Sequence, residues 1–219
     1  YAVHSNSDTS SITLKPFPNE NVSRSSGKKV GQEWTIQFLV KEKNSFDNST
    51  LMGRKESAYD DIDYSDTPML PKIEKGGINA ALFLNGQENE KYSSDFRSID
   101  AINGVWDLQI LSEKNIDNIE LMAKDISSLP KGISIAMLDV QRRIVFTNIF
   151  SRKIIFDIIG GLEYEFKVVA GESGYVDQMI KDLLEVIPNN FSLSKNYPNP
   201  FNPITNLDFS IPKRSNVTL

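Results

Sequence analysis

The densest ligand chemistry in the sequence lies between Asn44 and Lys75, a stretch without sustained periodicity that reads as a long loop. Asp47, Asp60, Asp61, Asp63 and Asp66 there supply hard carboxylate oxygens, the donors calcium prefers. Their spacing is not that of an EF-hand, which needs a central glycine and a closing glutamate. Two readings stand: a bound cation, with Ca2+ the candidate, or a solvated acidic loop held down by Tyr59, Ile62 and Tyr64. Other chemistries have fewer parts. The chain has no cysteine, so disulfides, thiolate metal sites and a cysteine nucleophile are excluded from it. Its single histidine, His4, sits in a polar terminal segment and reads as a surface residue, and any Ser-His-Asp triad here would need it. No G-x-S-x-G, H-E-x-x-H or phosphate-cradling glycine run is present. Gly171-Glu172-Ser173-Gly174 lacks a partner histidine and reads as lacking the strand-to-helix context that exposes a reactive serine. Paired carboxylates for glycoside hydrolysis depend on a spatial separation of about 5–9.5 Å, which sequence does not show. These residues read as non-catalytic.

The elements that must position these groups are mostly strands. Trp34, Ile36, Phe38 and Val40 fall on one face of a strand over Glu33 to Lys41, with Trp34 read as core rather than as a sugar-stacking ring. Period-two runs follow at Ala80–Leu84, Tyr92–Ile99, Val105–Leu111, Asn118–Ala123, Gly132–Leu138, Arg143–Asn148, Lys153–Ile159 and Tyr164–Ala170. Asn85-Gly86, Asn103-Gly104 and Gly160-Gly161 read as turns between them. About nine short strands so closely spaced leave no room for crossover helices. The expected fold is all-β, an antiparallel β-sandwich of jelly-roll or immunoglobulin-like type, with the strands running as a meander. Helical spacing appears once: Val176, Ile180, Leu183, Leu184 and Ile187 predict a short amphipathic helix stopped by Pro188.

Composition narrows the partners. With 219 residues the chain holds one or two domains. A net charge of −5 and dispersed basic residues give no footprint for nucleic acid. The longest apolar run, Lys153 to Ile159, is far short of the roughly 20 residues a membrane helix needs. The expected organisation is a linker or edge segment over 1–27, a β-sandwich accessory domain over 28–172, a linker with a short helix over 173–190, and a further β domain over 191–219. The chain starts at Tyr1 without a basic-then-apolar leader and is expected to be the tail of a longer protein.

Near the end, Lys195-Asn196-Tyr197-Pro198-Asn199-Pro200-Phe201-Asn202-Pro203-Ile204-Thr205 packs three prolines and three asparagines into a segment that cannot be helical. Leu207-Asp208-Phe209-Ser210-Ile211-Pro212 then alternates like the first strand of a small β domain. These residues resemble the type A C-terminal sorting domain of type IX secretion, whose hallmark is N-Y-P-N-P-F-N-P-x-T followed by [IL]-x-[FY]-x-[IL]-P. The resemblance implies that Asn196, Tyr197, Pro198, Asn199, Pro200, Phe201, Asn202, Pro203 and Thr205 form part of an export signal. It also implies further strands, so the sorting domain in this chain is expected to be partial. The implied partners are the outer-membrane translocon and its sorting peptidase, with release or attachment to surface lipopolysaccharide. The implied location is secreted or on the outer cell surface, reached through the periplasm.

A second resemblance covers about residues 29–171. Trp34 to Phe38, Asp47 to Gly53 with Ala58 to Asp63, Ser94-Asp95-Phe96-Arg97, Trp106 to Ile110, Ile135 to Asp139 and Phe166 to Gly171 resemble a β-sandwich that often precedes such sorting domains. It implies a fold and a place in an architecture, not a chemistry. Two alternatives stay open: a module binding glycan or the cell envelope through Tyr59, Tyr64, Tyr92 or Phe96, and a hydrolase or its appendage.

Overall fold

Alternating apolar residues determine which face of each strand turns inward, and in the computed structural model these faces meet across two five-stranded sheets. The structure describes residues 2–5, 12–15, 31–43, 45–69, 77–84, 90–188, 190–197, 200, 204, 206 and 208–212. A hairpin of β1 (Ala2–Ser5) and β2 (Ile12–Lys15) precedes the sandwich, with the His4 backbone paired to Thr13. The sandwich strands are β3 (Trp34–Lys41), β4 (Phe46–Lys55), β5 (Asn79–Phe83), β6 (Ser94–Ser98) and β7 (Gly104–Leu111). They continue with β8 (Ile116–Asp125), β9 (Ile133–Asp139), β10 (Ile144–Phe146), β11 (Ile154–Ile158) and β12 (Tyr164–Glu172). Helix α1 (Ser173–Val186) follows, then the short strands β13 (Ser192–Leu193) and β14 (Phe209–Ser210).

The expected all-β sandwich is present. One sheet has the order β11-β8-β3-β4-β6 and the other β10-β9-β12-β7-β5, and every pair is antiparallel except β4 with β6. The strands do not run as a meander. Only β3-β4 and β9-β10 are sequential neighbours within the sandwich sheets, and most other connections cross from one sheet to the other. Alternation specifies a strand's buried face but carries no information about its neighbour.

Part of the presumed loop is strand. β4 occupies Phe46–Lys55, and a bulge hid it: Phe38 pairs with Thr50 but Val40 with Asp47, so β4 carries one extra residue. Its inward residues are therefore Asp47, Thr50, Met52 and Arg54, mostly polar and unevenly spaced. Asn103-Gly104 is likewise no hairpin turn; it leads from β6 in one sheet to β7 in the other. Gly104 allows a close approach instead, since a Cβ there would lie 2.8 Å from the Trp106 ring. Gly160-Gly161 is the turn expected, with Gly161 at φ +79°. Asn85-Gly86 lies outside the described residues.

The main core is the space between the sheets. Trp34 and Trp106 meet there edge to face, with ring centroids 5.6 Å apart, and both are buried. Phe156, Tyr164 and Phe166 form a second aromatic group, with centroids 4.3–5.3 Å apart. A smaller core lies outside: Val176 and Ile180 of α1 cover Ala136, Leu138 and Val169 on the outer face of the β9-β12 region. The predicted helix thus begins three residues earlier than its apolar stripe and lies on the sandwich. Arg143 of the β9-β10 turn holds its end, donating through Nη2 to the Leu184 carbonyl at 2.8 Å and through Nη1 to that of Ile187. Among the described residues no helix is long and apolar enough to cross a membrane.

Candidate functional site

The described residues around the proline-asparagine segment form a narrow ribbon. Ser192 and Leu193 pair with Ser210 and Phe209. Tyr197 and Asn206 exchange two backbone bonds, Tyr197 N–H to Asn206 O at 3.1 Å and Asn206 N–H to Tyr197 O at 2.8 Å. Between them the Ser194 N–H donates to the Asp208 carbonyl at 2.7 Å, and the Asp208 N–H donates back to Ser194 Oγ at 3.0 Å. Serines suit this lacing because their hydroxyls reach local backbone groups. The apolar side chains turn away from it: Phe191, Leu193, Ile204 and Phe209 are exposed, and Tyr197 is 78% exposed. Of the sorting-motif positions, Asn196, Tyr197 and Pro200 are described; Pro198, Asn199, Phe201, Asn202, Pro203 and Thr205 lie outside the described residues. A ribbon of two short strands is marginal alone, and exposed apolar side chains on it suit recognition by a partner.

The five aspartates are not gathered into a ligand shell. Asp47, buried in β4, accepts the Ser49 N–H and hydroxyl at 2.9 and 2.6 Å and the Ala80 N–H at 3.1 Å. Beside it Thr50 Oγ1 donates to the Ala80 carbonyl at 3.0 Å, so two side chains of one sheet satisfy the backbone N–H and C=O of one residue of the other. Asp63 accepts the N–H groups of Tyr59 and Ser65 at 2.6 and 2.5 Å. Asp66, 1% exposed, accepts those of Asp63 and Phe96 at 3.1 and 2.9 Å, binding the loop to β6. Asp60 accepts the Ser98 N–H at 3.2 Å, and Asp61 is exposed. Burial raises the Asp66 carboxyl to about 7, against the opposing pull of the Phe96 and Asp63 N–H bonds. Among the described residues no group of three acids or histidines could hold a metal ion. Of the aromatics weighed for glycan contact, Tyr92 and Phe96 are buried, whereas Tyr59 and Tyr64 are exposed on the acidic loop.

Two side-chain networks have no motif in the sequence. In the first, Arg54, 2% exposed, donates from Nη2 to the Asn103 carbonyl at 2.7 Å and from Nη1 to that of Ser98. Arg97 stacks 4.4 Å from the Trp106 centroid and makes a two-pronged bond to buried Asp95 at 3.0 and 3.2 Å. Burial lowers the Arg54 pKa and raises that of Asp95, the latter opposed by Arg97. In the second, fully buried Asp139 accepts the Tyr164 hydroxyl at 2.9 Å and Arg142 Nε at 2.6 Å. Both networks pair charge with charge and tie connections to strands. The Ser94-Asp95-Phe96-Arg97 run was the legible trace of the first; of the second the sequence offered Asp139, at the end of Ile135 to Asp139, but not its partner, since Asp139 and Tyr164 lie on different strands.

Ser173 does sit at a strand-to-helix junction, contrary to the sequence reading, because β12 ends at Glu172 and α1 begins at Ser173. Two concavities are notable. A cleft of about 600 Å³ at one end of the sandwich is lined by Trp34, Arg54, Lys131 and one acid, Glu172. A groove of about 550 Å³ lies on the outer face of the β8-β3 region and has no acid in its lining. Neither brings two carboxylates together. No family model, no curated protein and no solved structure matches this chain.

Proposed function

We propose that this chain is the non-catalytic C-terminal portion of a secreted or cell-surface bacterial protein, pairing a β-sandwich accessory module with a type IX secretion signal. The observation that carries the reading is the sequence run Asn196 to Thr205, together with the outward-facing Tyr197 of the ribbon. The export machinery would read the ribbon, and the sandwich would be the folded body next to it. Asp47, Asp60, Asp63 and Asp66 act in this reading as acceptors for backbone N–H groups of strands and loop. Arg143 and the apolar face of α1 hold the sandwich end of the connection to the ribbon.

The test is deletion of Phe191 onward in a host that has the type IX machinery, followed by fractionation. Retention in the periplasm is expected, with a milder defect for Tyr197→Ala. Undiminished appearance of the deleted protein outside the cell refutes the sorting role.

A further inference from the structure

We infer that the groove on the outer face of the β8-β3 region binds an anionic polysaccharide, a chain of sugars bearing carboxylate groups. Its floor is the cross-strand pair Leu39 and Met122, both only partly buried. Phe150, from the 3-10 turn Ile149–Ser151, forms an exposed aromatic wall. Gln37 and Asn48 bring amide groups to one side. Lys124, Arg152 and Lys153 bring three cations, and among the described residues no acid lines the groove, although the whole chain carries −5. Glu120 is the nearby acid and is engaged by Lys153 at 2.8 Å, so Lys124 and Arg152 supply the uncompensated positive charge.

Charge complementarity selects an anion, and shape selects among anions. A planar bilayer would rest on the rims of a concave groove, whereas a linear polymer lies within it. An acidic peptide would more naturally add to a free sheet edge, and this groove lies across the face of strands already paired on both sides. An apolar floor, one aromatic ring and flanking amides suit the mixed polar and apolar surface of a sugar. Tyr59, Tyr64, Tyr92 and Phe96 take no part. The site is independent of the export reading.

The experiment is affinity electrophoresis of the full chain in gels containing polygalacturonate, neutral galactan or polyglutamate. Retardation by polygalacturonate alone is expected, with affinity reduced at least about tenfold by Lys124→Glu or Arg152→Glu and several-fold by the charge-neutral Phe150→Ala. Lys181→Glu, on the exposed side of α1, changes the same charge elsewhere and should leave retardation intact. Melting temperatures of all variants are compared to confirm folding. Absence of retardation, equal retardation by polyglutamate, or an equal loss with Lys181→Glu would overturn the proposal. So would full retention of binding by Phe150→Ala, since attraction by charge alone does not need the ring.

Discussion

The outer faces of the two sheets differ, although the sheets have equal strand counts and share one core. Over β9 and β12 the outer face carries Ala136, Leu138 and Val169, all buried under α1. Over β3 and β8 it carries Gln37, Lys41, Glu120 and Lys124, with Leu39 and Met122 partly exposed among them. Beneath the helix β9 is therefore apolar on both sides, whereas β3 and β8 alternate. A strand apolar on both sides needs a second covering layer, and the amphipathic stripe of α1 supplies it. The bare face needs none for stability, so its few apolar residues and its cations are free for contact with a ligand.

The contrast breaks most directly by truncating one apolar side chain on each face. Leu138→Ala should cost about 2–5 kcal/mol, because it opens a cavity between helix and sheet. Met122→Ala should cost under about 1 kcal/mol, because solvent already reaches that side chain. Urea midpoints read both; equal losses would mean that the second face is covered after all.

The bare sheet has another means of holding its edge, the Asp66 carboxylate that binds the acidic loop to β6. Burial lifts that group from an ordinary 3.8 to about 7, so folding favours its protonated form. The contribution is fully present below about pH 4 and is lost as pH rises through 7. Its slope is at most about 1.4 kcal/mol per pH unit. Denaturation from pH 4 to 8 should show it, and Asp66→Asn should flatten it whatever that variant's baseline. An unchanged slope in Asp66→Asn assigns the dependence to another group.

On the covered face, Arg143→Ala removes two bonds to the last carbonyls of α1 and should cost about 1–2 kcal/mol. Hydrogen exchange should rise first in the last turn of α1, with the sheet beneath still protected. Uniform exchange across helix and sheet would show instead that they open as one unit. The smallest effect belongs to the bare face. Lys153→Ala loses an exposed ion pair with Glu120, and the melting temperature should move by no more than about 1 °C.

Legibility followed local physics. The inward faces of β3, β7 and β12, the helix stripe and the Gly160-Gly161 turn could be read because each depends on residues close in sequence. The serines that lace the β13-β14 ribbon gave no such signal, since Ser192 and Ser210 meet only once the segment has doubled back, with hydroxyl oxygens 2.6 Å apart. β4 escaped because its bulge breaks the period and its inward positions are mostly polar. The acidic cluster suggested a cation because carboxylates are ambiguous in a sequence: the same oxygens coordinate ions or accept N–H bonds, and which they meet depends on where loop peptides pass.

By itself, then, the sequence determined that the chain would be built from half-buried strands, that one helix would be amphipathic, and that Asn196 to Thr205 could be neither helix nor central strand. Side-chain periodicity and the missing N–H of proline act within a few residues and need no partner. Only the tertiary structure decided that β4 lies parallel to β6, that Asp47 and Thr50 clasp the backbone of Ala80 in the opposite sheet, and that α1 covers the outer face over β9 and β12. Those outcomes rest on contacts between residues distant in the chain, where each buried polar group must find its partner in space.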